Sequence, residues 1–303
     1  MNNIKKLKLF IVFGIITLFL GGCMNSGSKM GGMDHSKMNH KSGGNTKTTE
    51  GQAAKITTKM ATISDKEFTL TAQPSNLEIN SEITLPVWTF NNSVPGPEIR
   101  VKQGDKVKIT LLNELPEPVS IHWHGVPVPN AMDGIPGITQ NAVQPGKAFT
   151  YEFKAAVPGT YWYHSHQDSV NQVDKGLYGA FIVEAKDHDA DRDYTLVLDE
   201  WMSSGMDISS MEGHDMSMMY DSFTVNGKSG DSIEKMMVKK GENVRIRLIN
   251  AGFMSHNIHL HGHEFKVTAT DGQPFSEPEI IKDQLIAIAP GERYDLEFEA
   301  NNP

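Results

Sequence analysis

Residues 101–113 read VKQGDKVKITLLN, and residues 238–250 read VKKGENVRIRLIN. The two stretches share seven of thirteen residues at an offset of 137. A second pair follows in the same order, with PGKAFTYEF at 145–153 and PGERYDLEF at 290–298. Self-similarity of this kind indicates one structural unit used more than once. We therefore expect two copies of one domain, over residues 55–186 and 190–303.

Each copy reads as a β-sandwich. Runs such as EFTLTAQ, AFTYEFKA and GTYWYHSH alternate apolar and polar residues and are separated by Pro, Gly and Asn. Short alternating runs with this punctuation are typical of strands. No long stretch has the helical period of 3.6 residues. The sequence thus predicts an all-β protein built from two antiparallel sandwiches.

The two copies differ at their ends. In the first, Phe153 is followed five residues later by Pro158 and then by the strand GTYWYHSH. In the second, Phe298 is followed five residues later by Pro303, the last residue. We expect the second copy to lack its final strand through truncation of the chain. A natural two-domain protein with a shortened last strand is the alternative.

The first 54 residues are interpreted as a targeting segment and a tether. Three lysines precede the apolar run LFIVFGIITLFL, and the tetrapeptide LGGC follows it, ending at Cys23. This order resembles a bacterial lipoprotein signal over residues 1–23, with lipidation at Cys23. An uncleaved anchor helix is the alternative. Residues 24–54 are rich in Ser, Gly, Lys and Asn, which favours a disordered tether. Both interpretations place the protein outside the cytoplasm and at the cell membrane.

The composition narrows the possible functions. The 303 residues include 12 His, 16 Met and a single Cys, with a net charge of −9. Acidic and basic residues are mixed along the chain, and no basic stripe is present, so we expect no nucleic-acid partner. We expect membrane contact through the lipid anchor only.

Two histidine pairs lie in predicted strands of the first copy. IHWHG places His122 and His124 two residues apart, and HSH does the same for His164 and His166. Side chains at i and i+2 leave one face of a strand, roughly 6.5 Å apart. A single such pair is usually explained by core histidines with satisfied hydrogen bonds. Two pairs in one domain favour a metal site, and imidazole suits copper, zinc, iron and nickel.

These motifs resemble three of the four copper motifs of the multicopper oxidases, the family of laccases and cuprous oxidases. The resemblance covers essentially all of residues 56–303 and implies tandem cupredoxin-like Greek-key sandwiches. It further implies that His122 binds a type 2 copper. It implies that His124, His164 and His166 bind a type 3 copper pair.

The repeat carries the resemblance into the second copy. SHNIHLHGH at 255–263 is similar to the family motif H-P-x-H-L-H-G-H, with Asn257 in place of Pro. By this match His256 is a type 1 ligand, His259 a type 2 ligand and His261 a type 3 ligand. The alternative is the non-ligating look-alike that some family members carry in a middle domain.

The fourth family motif, H-C-H-x-x-x-H-x-x-x-G-M, does not occur in these 303 residues. A blue type 1 site requires a thiolate with two imidazoles. Because the only Cys is Cys23, we expect this chain not to encode a type 1 site.

Asp133, in AMDGIPG, has two interpretations. It resembles the acid that the family keeps near its copper cluster, where a carboxylate can relay protons during O2 reduction. It is also a typical turn residue before Gly134.

Ten methionines lie in two polar segments. Thioether sulfur is a soft ligand that selects Cu(I), so Cu(I) capture is expected. The alternative is a flexible loop with incidental methionines, or an adaptable apolar surface. The first segment contains Met24, Met30, Met33 and Met38; the second contains Met202, Met206, Met211, Met216, Met218 and Met219.

Together these features predict a copper-tolerance type of multicopper oxidase. It would couple one-electron oxidation of a small donor, Cu(I) or a phenol, to reduction of O2 to water. The alternative is an inactive copper-binding surface lipoprotein, which the missing Cys motif favours for the chain as given. A zinc hydrolase is a further alternative, but that function would not explain the two methionine segments.

Overall fold

The structure is a computed structural model that describes residues 55–56, 60–187, 190–205 and 219–302. The predicted signal and tether before residue 55, including Cys23, lie outside the described residues. The fold is cupredoxin-like and almost entirely β, as the alternating sequence pattern predicts. No helix among the described residues has the length and apolarity needed to cross a membrane.

Residues 55–184 form two five-stranded sheets. One sheet has the order β1-β3-β6-β8, with β4 paired to β3, and the other has the order β2-β5-β10-β9-β7. A short helix, α1 (Ser169–Asp174), connects β9 to β10. The strands are β1 (Lys55–Ile56), β2 (Thr62–Ile63), β3 (Glu67–Glu78), β4 (Thr84–Phe90), β5 (Gly96–Lys102), β6 (Lys106–Asn113), β7 (Ile121–His124), β8 (Ala148–Lys154), β9 (Gly159–Ser165) and β10 (Tyr178–Glu184).

Residues 192–299 form a seven-stranded sheet and a two-stranded sheet. The larger has the order β12-β11-β13-β19-β15-β16, with β17 paired to β15, and the smaller joins β14 to β18. The strands are β11 (Arg192–Trp201), β12 (Ser222–Val225), β13 (Asn243–Asn250), β14 (His256–Ile258), β15 (Phe265–Thr270), β16 (Gln273–Pro274), β17 (Ile280–Ile281), β18 (Ile286–Ile288) and β19 (Arg293–Glu299).

The sequence repeat is also a repeat of strand pairing. The path β4-β3-β6-β8 recurs as β12-β11-β13-β19. The register is the same, because Val107 pairs with Phe153 in the first copy and Val244 pairs with Phe298 in the second. The limits 55–186 and 190–303 stay predictions of the domain boundaries.

The prediction of antiparallel sandwiches is correct for most strand pairs but wrong for several. β3 runs parallel to β6, β5 runs parallel to β10, and β11 runs parallel to β13. Parallel neighbours require a crossover. Between β3 and β6, and between β5 and β10, the chain passes through the other sheet before it returns. Alternation along a strand shows which residues face the core but carries no information on the direction of the neighbouring strand.

The described residues form one compact unit, and an apolar cluster joins the two copies within it. The cluster combines Val87, Trp162 and Tyr178 of the first copy with Trp201 and Ile249 of the second. Trp162 lies on β9, the strand that also carries His164. The apolar contact between the copies therefore lies directly beside the predicted metal ligands.

A buried polar network at Arg247 also joins the copies. Its guanidinium donates to both carboxylate oxygens of Asp193, over 2.8 and 2.9 Å, and to Thr160 Oγ1 over 2.7 Å. Thr160 in turn donates to Asp295 Oδ1 over 2.6 Å. A buried guanidinium is tolerated only when its donors are paired, so this network fixes β9 against β13 and β19.

Candidate metal centre

The alternation of β7 places its two histidines on one face. Ile121 and Trp123 are buried in the core of the first copy, with exposed fractions of 0% and 1%. His122 and His124 leave the opposite face and are half-buried. The apolar residues thus anchor the strand, and the strand geometry directs both imidazoles to one side.

β9 supplies the second pair beside the first. It runs antiparallel to β7, with His122 opposite His164 and His124 opposite Trp162. His166 follows the last residue of β9. The centroid of the His122 ring lies 5.7 Å from that of His124, 5.4 Å from that of His164 and 5.3 Å from that of His166. The structure therefore brings all four first-copy histidines together.

Three of these histidines have nitrogens close enough to share a metal ion. One ligand atom from each of His122, His124 and His164 lies within 4.8 Å of the others. Among the residues that the structure describes, this is the only trio of His, Cys, Asp or Glu side chains that meets this condition. The donors are all imidazoles, which suit copper.

Backbone carbonyls orient two of the rings. Asp133 O lies 2.8 Å from His122 Nδ1, and Ser165 O lies 2.8 Å from His164 Nδ1. A carbonyl only accepts hydrogen bonds, so each Nδ1 carries the proton and each Nε2 keeps its lone pair. Partners of this kind are the usual outer support of metal-binding histidines. His124 Nδ1 lies 3.2 Å from His164 Nε2, so these nitrogens share either a proton or a metal ion.

Burial keeps two of the imidazoles neutral. Desolvation, reinforced by the charge of Arg293, lowers the pKa of His124 from 6.5 to about 4. Desolvation also lowers the pKa of His164 to about 3. Metal binding needs neutral imidazole, so both side chains are ready to bind a metal at neutral pH without first losing a proton.

Asp133 fits both of its interpretations. A Cβ at Gly134 would lie 1.8 Å from Ile121 O, and Gly134 has a φ of +80°, so the turn after Asp133 requires glycine. The Asp133 carboxylate is about one-third exposed and lies 3.4 Å from His122 Nδ1. Asp133 therefore belongs to a tight turn, and its carboxylate also lies beside a candidate metal ligand while remaining partly exposed to solvent.

Sequence reasoning missed two residues that lie beside the histidine pairs. The indole of Trp162 packs against both His124 and His164, with centroid distances of 4.9 and 4.3 Å. Arg293 of the second copy reaches Gly125, where a Cβ would lie 2.5 Å from the guanidinium. The alternation of YWYHSH could have revealed Trp162, because it shares a face with His164.

The second-copy histidines are arranged differently. His256 Nε2 lies 3.0 Å from the buried carboxylate of Glu200. His259 and His261 have ring centroids 5.0 Å apart and are exposed. Neither of these two belongs to the first-copy group. The structure thus brings His259 and His261 together, while His256 has a separate partner.

Two described methionines of the second segment, Met202 and Met219, pack in a cluster with Met254, whose backbone N–H donates to Glu200. Met202 and Tyr220 are buried against each other, and Met219 and Met254 pack on them. The remaining predicted Cu(I) residues, Met206, Met211, Met216 and Met218, lie outside the described residues. Met254 was not among the sequence candidates, because it lies outside both methionine segments.

Sequence comparisons identify the family. Two family descriptions, both named multicopper oxidase, match residues 71–188 and 192–303. The chain belongs to the multicopper oxidase family. The resemblance seen in the histidine motifs is therefore confirmed, and copper is the metal that the family implies.

Individual multicopper oxidases match over most of the chain. The blue copper oxidase of Nitrosomonas europaea is 36% identical, with a TM-score of 0.72, and the match covers 78% of this chain and 76% of that one. Multicopper oxidase MmcO of Mycobacterium tuberculosis is 31% identical over 75% of this chain. Copper resistance protein A of Escherichia coli is 29% identical over 69% of it. The matches cover 50% and 42% of the last two proteins, so the chain spans about half of their length or less.

Proposed function

We propose that this chain carries the histidines of a copper site in an oxidase that couples one-electron oxidation of a small donor to reduction of O2 to water. The observation that carries the proposal is the convergence of ligand nitrogens from His122, His124 and His164 within 4.8 Å. The names of the relatives, which include laccases and copper resistance proteins, support the same function.

The residues present fit copper. His122 would serve a type 2 site, and His124, His164 and His166 would serve a type 3 pair. Copper held there would supply one-electron redox chemistry toward O2. The chain's own contribution is orientation: carbonyls hold His122 and His164 in one tautomer, and Trp162 packs against the rings.

Asp133 is proposed to hold and deliver protons. Reduction of O2 to water consumes protons, and a positioned carboxylate near the reacting centre can supply them. Asp133 Oδ1 lies 3.4 Å from His122 Nδ1, and part of the side chain faces solvent. The Asp133 carboxylate is therefore in contact with both bulk water and the candidate ligand.

Cu(I) is proposed as a donor, with other small one-electron donors also accepted. The support is the chemistry of the second methionine segment, because thioether ligands favour Cu(I) over harder ions. Met202 and Met219 frame that segment and pack with Met254, whose backbone N–H donates to Glu200. Capture of Cu(I) on this side of the second copy would serve copper tolerance.

We further propose an extracytoplasmic location with lipid attachment at Cys23. The support is the order of basic residues, apolar run and LGGC in the sequence. Two or three acyl chains are needed for firm attachment, since one chain anchors only marginally. Replacing Cys23 with Ala should release the protein from the membrane fraction. Unchanged fractionation and unchanged mature mass would contradict the anchor.

A second function is favoured by the cysteine count. Within these 303 residues the only thiol belongs to Cys23, and a blue type 1 site needs a thiolate. The 303-residue polypeptide by itself would then bind copper through His and Met without turnover.

The second-copy histidines have two proposed roles. In the oxidase, His256, His259 and His261 would be copper ligands; the alternative is that they are the non-ligating look-alike of a middle domain.

Copper content and O2 uptake, measured on one preparation, test the proposal. We expect the 303-residue chain to bind copper without an intense blue band and without appreciable O2 uptake. Joining a segment that carries the H-C-H motif should restore colour and uptake together. Copper binding without uptake in the joined protein would favour the binding function, and absence of copper from the first copy would contradict both.

A further inference from the structure

Glu200 lies at the centre of a contact group that the copper-site proposal does not use. Its side chain is fully buried at the end of β11, with an exposed fraction of 0%. Oε1 accepts hydrogen bonds from the backbone N–H groups of Phe253 and Met254, over 2.5 and 2.6 Å. Oε2 lies 3.0 Å from His256 Nε2. Three donors thus converge on one carboxylate.

The absence of a side chain at Gly252 leaves room for this carboxylate. A Cβ at Gly252 would lie 2.2 Å from Glu200 Oε2, so any side chain there would displace it. Gly252 does not have a positive φ. Its requirement for glycine therefore comes from the approach of Glu200 and not from the backbone conformation.

The hydrogen bonds determine which nitrogen of His256 carries a proton. An ionised carboxylate only accepts hydrogen bonds, so Nε2 of a neutral His256 must donate and Nδ1 must keep its lone pair. Within the described part of the chain, no group is hydrogen-bonded to His256 Nδ1. A carboxylate on the far nitrogen is the usual outer partner of a metal-binding histidine.

We propose that Glu200 is a positioning residue that locks His256 in its Nε2–H tautomer and so presents Nδ1 as the nitrogen for Cu(I). The inference rests on the proposed Cu(I) function for the identity of the metal, but the tautomer itself does not depend on any metal. The Met254 N–H bond to Glu200 ties this site to the methionine cluster of Met202, Met219 and Tyr220. Phe223, whose ring meets His256 edge-on at 6.1 Å, covers the imidazole from another side.

Replacing Glu200 with Gln gives a test that preserves shape. The two backbone N–H donors require an oxygen, so the amide oxygen must take the place of Oε1. The amide NH2 then faces His256 Nε2 and donates to it. The proton on the imidazole should therefore move to Nδ1, and the metal-binding nitrogen should be lost while the packing is retained.

The experiment is ¹⁵N NMR on the metal-free 303-residue chain with labelled histidine, at a pH where imidazole is neutral. His256→Gln identifies the resonances. We expect the Nε2–H tautomer in the wild type and the Nδ1–H tautomer in Glu200→Gln. Phe223→Leu, a matched neighbour change that leaves Glu200 in place, should keep the wild-type tautomer.

Gly252→Ala offers an independent route, because its methyl group displaces Glu200 without changing any polar group. It should also remove the tautomer preference. An Nδ1–H tautomer or an even mixture in the wild type would overturn the positioning role. The same tautomer in wild type and Glu200→Gln would also overturn it.

Adding Cu(I) without oxygen separates this inference from the function on which it rests. Cu(I) is diamagnetic, so the same spectra can follow it. We expect the Nδ1 resonance to shift in the wild type and the effect to weaken about tenfold or more in Glu200→Gln, in line with other outer partners. Correct tautomers with no Cu(I) effect would contradict the proposed Cu(I) role of His256 and leave the positioning role supported.

Discussion

The two copies carry histidines at the same spacing but hold them differently. In the first copy β7 is paired with β9, and β9 is paired in turn with β10, so His122 and His164 lie within a five-stranded sheet. In the second copy β14 and β18 form a two-stranded sheet, and His259 and His261 follow β14 as exposed residues. The spacing fixes the face of a strand, but the neighbouring strands fix whether the ring nitrogens converge.

The largest expected effect follows from removing the convergent ligands. His122→Ala combined with His164→Ala should abolish copper binding by the first copy, a loss greater than the ~10–100-fold that accompanies loss of an outer partner. The matched change is His259→Ala with His261→Ala, which should leave first-copy copper in place. Metal content after dialysis measures both. Equal losses of copper in the two double variants would contradict the conclusion that only the first copy holds its histidines in position to bind copper.

The turn at Asp133 and Gly134, which packs against β7 beside His122, provides the next test. Gly134→Ala would place a methyl group 1.8 Å from Ile121 O, so β7 must move. Gly146 is the control, because it also has a positive φ, +71°, but a Cβ there has no neighbour within 4 Å. We expect Gly146→Ala to cost about 1 kcal/mol and Gly134→Ala clearly more. Denaturant unfolding of the metal-free proteins gives both values, and similar costs would contradict the described close contact.

The buried imidazoles predict a pH dependence. Their pKa values of about 4 for His124 and about 3 for His164 lie below the unfolded value of 6.5. The unfolded chain therefore binds more protons, and the stability of the metal-free protein should fall as pH drops from 6.5 through 4 toward 3. Each unit of pKa difference is worth about 1.4 kcal/mol. His124→Phe should flatten the upper part of this dependence, and an unchanged slope would mean that His124 does not cause it.

Part of this molecule could be predicted from sequence. The spacing of His122 and His124 indicated a shared face because strand geometry is local. The repeat indicated that β13 and β19 correspond to β6 and β8, since Val107 and Val244 occupy the same place in it. These inferences needed only periodicity and self-similarity.

Other parts depend on contacts between residues far apart in the chain. Glu200 meets His256 only after β11 and the loop before β14 are brought together, and LDEW carries no signal of this. Arg247 in VRIRLIN resembles any exposed cation, yet it is buried between Asp193 and Asp295. Local sequence patterns do not contain such pairings.

A smaller effect is expected from the methionine segment. Replacing Met206, Met211, Met216 and Met218 together with Leu should weaken Cu(I) binding about tenfold while first-copy copper stays, because sulfur and imidazole select different copper states. The buried Met202 is left unchanged to keep its packing with Tyr220. Competition with a Cu(I) chelator measures the change. An equal affinity for Cu(I) before and after the replacement would show that these four methionines do not bind Cu(I).

The most direct measurement is pulsed electron paramagnetic resonance of the 303-residue chain loaded with one equivalent of Cu(II), with and without ¹⁵N-labelled histidine. Modulation from several histidine nitrogens is expected, together with an optical spectrum that lacks the intense blue thiolate band. The modulation should disappear from the His122→Ala, His164→Ala double variant. Copper without histidine nitrogens, or an intensely blue preparation, would contradict the assignment of copper to the first-copy histidines.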